Sequence, residues 1–205
     1  MYIGATTSAS SSANFLNANA AQLDPNYAGL YLWDHTNLEY KIINNSGATN
    51  PEGTLAKDYL QAGQGFIVKS QSGGGTISFT AGMCTHQTGE TLLKSSRSPW
   101  PALNLVAETN EDRSGTVITF NPEMTKGLDI TYDAGMNKAN PRLALYSRLV
   151  EDNGVDFAIQ CLPDVDGELI VPLGLDAGAG ISVTFNAIFD HWFETGTVFL
   201  EDRSA

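Results

Sequence analysis

Short apolar runs alternating with polar residues recur along this chain, separated by stretches rich in Gly, Pro, Asn and Asp. Period two places successive side chains on opposite faces of a strand, whereas a helix needs apolar residues three and four apart. Eleven segments carry the strand pattern: 28–34, 39–43, 65–70, 76–80, 102–108, 116–121, 143–149, 155–162, 169–172, 181–187 and 197–201. One helix is expected, Ser12–Asn19, with Ser12 as its N-cap and Phe15 and Leu16 facing inward. No strand–helix–strand rhythm appears, so a parallel α/β sheet is excluded. The expected fold is all-β, an antiparallel β-sandwich of jelly-roll or Ig-like type, with two packed β units and at most one short helix.

Turn chemistry sets the joints. Ser72-Gly73-Gly74-Gly75 reads as a hairpin connection between 65–70 and 76–80, and Glu151-Asp152-Asn153-Gly154 as one between 143–149 and 155–162. Two connections, 44–64 and 122–142, are longer than compact domains usually tolerate without a task. Periodicity breaks altogether at Lys94-Ser95-Ser96-Arg97-Ser98-Pro99. The expected organisation is an N-terminal β unit at 1–93, a junction at 94–101 and an acidic C-terminal sandwich unit at 102–205, with Trp100 plugging the seam.

Charge follows the same division. Residues 1–100 carry six acids against five bases, while 101–205 carry seventeen against six, within a formal net charge of −12. Such a field repels phosphate backbones and anionic lipid surfaces, which excludes nucleic-acid binding by charge neutralisation. Hydrophobic residues make up 42% of the chain, enough for a core. No apolar run approaches the roughly 18–20 residues of a membrane-spanning helix. Met1-Tyr2-Ile3-Gly4 has neither a basic nor an apolar leader region, so no signal peptide is expected in it.

Several strings resemble a known kind of module. Tyr27-Ala28-Gly29-Leu30-Tyr31-Leu32-Trp33-Asp34, Ala62-Gly63-Gln64-Gly65-Phe66-Ile67-Val68-Lys69 and Gly127-Leu128-Asp129-Ile130-Thr131-Tyr132-Asp133-Ala134-Gly135 come in that order. Ala144-Leu145-Tyr146-Ser147, Ala158-Ile159-Gln160-Cys161-Leu162-Pro163, Val171-Pro172-Leu173-Gly174-Leu175 and Phe199-Leu200-Glu201-Asp202-Arg203 follow. Together they resemble β-rich modules near the C-termini of secreted and cell-surface Bacteroidota proteins, upstream of the sorting domain read by the type IX secretion system. The resemblance runs from about Asn14 onward, but the N-terminal strand departs from the pattern and the further strand and sorting domain are not in this sequence. It implies an extracellular or cell-surface, non-catalytic part of a larger parent polypeptide, and it supplies no catalytic residues.

Candidate sites are few. His35, His86 and His191 are scattered, with no metal-binding or catalytic spacing. No G-x-S-x-G elbow is present, and Ser147 reads as an outward polar strand position. The glycine-rich stretches 73–75 and 174–180 lack the helix and Lys-Ser/Thr of a phosphate loop and read as turns. Asp164, Asp166 and Glu168 alternate around a Gly turn and are the candidate Ca²⁺ ligands, with a solvated acidic turn as the plain alternative. Asp129 and Asp133 are explained by turn bonds to the backbone, which gives their loop a structural task. Trp33 shares a strand face with Tyr31 and is expected in the core, with Tyr40 of similar type. Trp192, in Phe189-Asp190-His191-Trp192-Phe193, is the best candidate for an exposed ligand contact, with Tyr132 beside it in the ligand-binding set. Cys161, in phase with Phe157 and Ile159, should face the core and Cys84 should not, so two free thiols are expected rather than a bridge.

These readings lead to a non-catalytic module for spacing, adhesion or presentation, with a glycan or a surface protein as partner and no membrane insertion. The alternatives are a carbohydrate-binding module and, third, a polysaccharide hydrolase using a carboxylate pair about 5–10 Å apart.

Overall fold

The computed structural model describes residues 2–3, 9–34, 39–49, 59–60, 64–85, 100–138, 142–151, 153–165, 167–194 and 197–203. In the N-terminal half the strands are β1 (Tyr2–Ile3), β2 (Ala9–Ser11), β3 (Leu30–Asp34), β4 (Glu39–Ile43), β5 (Tyr59–Leu60), β6 (Phe66–Ile67) and β7 (Cys84–Thr85). The C-terminal half contains β8 (Ala102–Glu108), β9 (Arg113–Phe120), β10 (Ala134–Gly135), β11 (Leu143–Ser147), β12 (Phe157–Leu162), β13 (Leu173–Ala177) and β14 (Thr184–Asp190). Helix α1 spans Ser12–Asn19. The protein is therefore all-β with one short α-helix; among the described residues its two larger sheets pack as a sandwich, and a small third sheet is ordered β5-β2-β7.

In the four-stranded sheet, ordered β1-β6-β3-β4, the central stretch of β3 and the end of β4 are buried on both faces. Leu30, Leu32 and Ile43 pack with Phe15 and Leu16 of α1 and with Phe66. Their neighbours Tyr31 and Ile42 point the other way, onto Val117, Ala134 and Ile159 of the C-terminal half. This double burial explains a nearly continuous apolar run in β3, and each such side chain contributes about 1.5–3 kcal/mol. Trp33 lies on the face of Tyr31, yet it is 49% exposed. The covering layer ends before it, and its ring instead meets Tyr40 edge-on at 5.1 Å, so the core position expected for Trp33 is corrected.

The larger sheet runs β13-β11-β12-β9-β8-β14, with β10 added on β12. Strands β8 and β9 form the long hairpin, in register from Ala102↔Thr119 to Glu108↔Arg113. The expected hairpin between 143–149 and 155–162 is reduced to one pair, Ser147↔Phe157. β12 instead runs parallel to β9, Ile159↔Val117 through Leu162↔Phe120, and β11 pairs with β13. A parallel ladder needs a long crossover, which the 122–142 connection and β11 together provide. Leu143 and Leu145 of β11 fold over Leu105 and Ala107 of β8, which buries all five β11 residues. Ser147 is consequently buried rather than outward, with its Oγ 3.3 Å from Thr116 Oγ1.

Four local expectations fail for identifiable reasons. Ser12 begins α1 rather than capping it, and its buried Oγ has no partner among the described residues. Residues 76–80 form no strand, because Asn19 takes the place of a neighbouring strand: its Oδ1 accepts the Ser78 N–H and its Nδ2 donates to Ser78 O. The preceding turn does form, with Gly73 and Gly74 at φ 91° and 81°, where only glycine is unstrained. Pro172 lacks an N–H and ends the 169–172 reading, so pairing with β11 begins one residue later, at Leu173↔Ser147. Residues 197–201 have no strand partner among the described residues.

Candidate functional site

The two long connections meet each other. Asn44, Asn45, Ser46 and Gly47 make a tight turn after β4, in which Asn44 Oδ1 accepts the N–H groups of Ser46 and Gly47. That turn grips residues 131–132 of the second connection. Asn44 Nδ2 donates to Tyr132 O at 2.6 Å, Ser46 Oγ donates to the same carbonyl at 2.7 Å, and Asn45 N–H donates to Thr131 O at 2.9 Å. Thr131 sits at φ 69°, a left-handed conformation costly for a β-branched residue, and its hydroxyl accepts from Asn45 Nδ2.

Asp133 closes the clamp from below. Its carboxylate is fully buried; Oδ1 accepts the Cys161 N–H of β12 and Oδ2 accepts the Asp129 N–H, both at 2.7 Å. Burial pushes its pKa up to about 7, the charge of Asp129 adding to the rise and the two N–H bonds opposing it. Asp129 in turn accepts from Thr125 N–H and Oγ1. Both carboxylates thus accept backbone N–H groups, those of their own loop and, for Asp133, that of Cys161 in β12 as well, which is a structural task. Beside them, burial raises the Cys161 thiol to about 11 despite the Ser46 and Thr119 hydroxyls, so it is an inert core group. Cys84 is exposed, and both cysteines are free.

A second contact joins the sheets a few residues on. Tyr31 Oη donates to Gly135 O at 2.8 Å from a buried position, and burial raises its phenol pKa, with Tyr27 and Asp24 adding to the effect. Gly135 must be glycine: a Cβ there would fall 2.7 Å from the Tyr27 ring and 2.8 Å from Asn26 O.

On the far side of the C-terminal half, an open groove of ≈ 1120 Å³ lies between the ends of β13 and β14 and the β8–β9 turn. Its carboxylates are held by cations: Glu108 by Arg113 at 3.2 Å, Asp112 by Arg142 at 2.9 Å and Asp176 by Lys138 at 2.6 Å. Lys138 also meets Asp156 at 2.6 Å and stands 4.1 Å over the Tyr146 ring. The hydrogen bond from Lys138 lowers the Asp176 pKa. Burial works against the charge on Lys138, but its two carboxylate partners outweigh this and raise its pKa.

The sequence profile of a family described as a domain of unknown function, DUF8693, matches residues 7–205. The chain belongs to that family. The match covers both arms of the clamp, so the clamp lies wholly inside the DUF8693 domain. No curated protein matches the chain, and no solved structure matches it.

In this DUF8693 chain the residues expected from sequence are dispersed. Trp192 is half-buried, its ring 5.8 Å from Phe120, 4.9 Å from Phe189 and 5.4 Å from Phe193, where it closes one end of the core. Tyr132 is half-buried by the clamp, 6.3 Å from the ring of Trp100, which sits at the seam. Neither lines the groove. Asp164 and Glu168 are exposed on a loop with Gly167 at φ 91°, while Asp166 lies outside the described residues. Among the described residues no three His, Cys, Asp or Glu side chains are grouped to hold a metal ion. His35, His86 and 94–99 of the junction also lie outside the described residues, and His191 is exposed beside Asp190 at 3.7 Å. Sequence reasoning missed Tyr31, Asn44 and Ser46 as clamp residues. The usable signal was the turn string Asn44-Asn45-Ser46-Gly47 inside an overlong connection.

Proposed function

We propose that the chain is a non-catalytic β-sandwich module of an exported or cell-surface protein, serving spacing, adhesion or presentation within a larger polypeptide. The observation that carries this reading is the clamp. Its buried Asn44 and Ser46 side chains are spent on the Tyr132 carbonyl across the two units, and buried Asp133 holds the receiving loop to β12 through the Cys161 N–H. A spacer needs one rigid body rather than two that hinge, and buried, mutually satisfied polar contacts supply that rigidity. The resemblance of the ordered strings to modules of secreted Bacteroidota proteins agrees with the location.

Pulling the chain between its ends in a force-spectroscopy experiment tests the reading. One unfolding event is expected; two separate events, one per half, would contradict it.

Carbohydrate binding is the second reading, and the groove between β13 and β14 favours it over a site at Trp192, whose ring is occupied by phenylalanines. A glycan array decides between the readings: binding lost in Arg142→Ala would move the account to a carbohydrate-binding module. Hydrolysis fits less well. A glycosidase acid needs a raised pKa, whereas Asp176 in the groove is held low by Lys138.

A further inference from the structure

Strand β14 ends the larger sheet, and its register with β8 is unbroken over the seven pairs from Thr184↔Glu108 to Asp190↔Ala102. Natural edge strands are usually blunted by lysine, proline, a bulge or very short length, because an open row of N–H and C=O groups recruits another strand. Thr184-Phe185-Asn186-Ala187-Ile188-Phe189-Asp190 has none of these. Thr184, Phe185, Asn186, Ala187 and Phe189 are exposed, Phe185 at 39% and Phe189 at 47%.

We propose that β14 is a self-association edge, on which β14 of a second copy pairs antiparallel about a two-fold axis at Ala187. The occupant follows from self-complementarity. In that register Phe185 of each copy lies opposite Phe189 of the other, an aromatic cross-strand pair repeated on both sides of the axis. Asn186 meets Ile188, and Thr184 meets Asp190. The strand's only charge, Asp190, therefore never faces itself: the two carboxylates stand at opposite ends, roughly 20 Å apart at ~3.4 Å per residue. That separation exceeds the screening length of about 8–10 Å at ordinary salt. Registers shifted toward the C-terminal end bring the two acids together. One seven-residue edge buries less than a standard interface, and each copy carries a net charge of −12, so the dimer is weak and tightens as salt screens the repulsion.

Sedimentation equilibrium of the full chain, in a Cys84→Ser background, provides the test. Expected is a reversible monomer–dimer equilibrium with a dissociation constant weaker than about 1 µM, tightening several-fold as salt is raised. Ala187→Lys, which sets two ammonium groups on the axis, should give monomer throughout, and Ala187→Cys should oxidise to a covalent dimer. A wild-type chain that is monomeric at every concentration overturns the proposal, as does a dimer that persists in Ala187→Lys. Should that variant not fold, amide exchange of wild-type residues 184–190 replaces it. Protection that grows with protein concentration supports the pairing. Protection independent of concentration shows the edge covered within one copy, by 197–201 for example, and overturns it.

Discussion

The Oδ1 of Asp133 accepts the Cys161 N–H at 2.7 Å in a place where neither side chain touches solvent. A carboxylate so placed is costly to ionise, and the cost appears as its raised pKa of about 7. The folded state therefore holds this proton more tightly than an unfolded chain, whose Asp titrates near 3.9. Its contribution to stability is greatest below about pH 4, falls as pH rises to about 7 and is flat beyond, a span of a few kcal/mol. Asp133→Asn removes the titration. Urea unfolding at pH 5 and pH 8 should show the variant gaining on wild type as pH rises; a constant difference would show that Asp133 is ionised throughout.

Tyr31→Phe deletes the hydroxyl that donates to Gly135 O and so removes a buried hydrogen bond between the sheets. A loss of about 1–2 kcal/mol is expected, read as a lower urea midpoint with an unchanged slope. An unchanged midpoint would mean that the contact between the sheets contributes nothing.

Most strands were legible because their apolar period was intact. The β8–β9 hairpin appears where 102–108 and 116–121 placed it, lengthened toward its turn, and α1 occupies Ser12–Asn19 as read. What the sequence could not convey was pairing choice. Leu143-Ala144-Leu145-Tyr146 looks the same whether β11 pairs along β12 in a hairpin or along β13, since both bury it. The failure at 76–80 has the same root: the Asn19 side chain satisfies the Ser78 backbone, a contact 59 residues apart with no local signature. The candidate site was legible only in outline. The Asp129–Asp133 loop was marked as structural, but its partner turn at Asn44 was hidden in a connection known only for its length.

Gln160 is fully buried in β12, and neither its Nε2 nor its Oε1 has a hydrogen-bond partner among the described residues. An unsatisfied buried amide costs about 1–3 kcal/mol. Gln160→Met keeps the volume and removes the polar atoms, so it should raise the melting temperature. A lower one would indicate that the amide holds an interior water.

The central claim is that the two β units behave as one body through the clamp. Variants retaining only Trp33 in the N-terminal unit or only Trp192 in the C-terminal unit, the other tryptophans changed to Phe, let each unit report its own unfolding by fluorescence. The account predicts that both urea transitions coincide in midpoint and slope, as a single cooperative unit requires, and that Asn44→Ala lowers both together. Separate midpoints for Trp33 and Trp192 would contradict it.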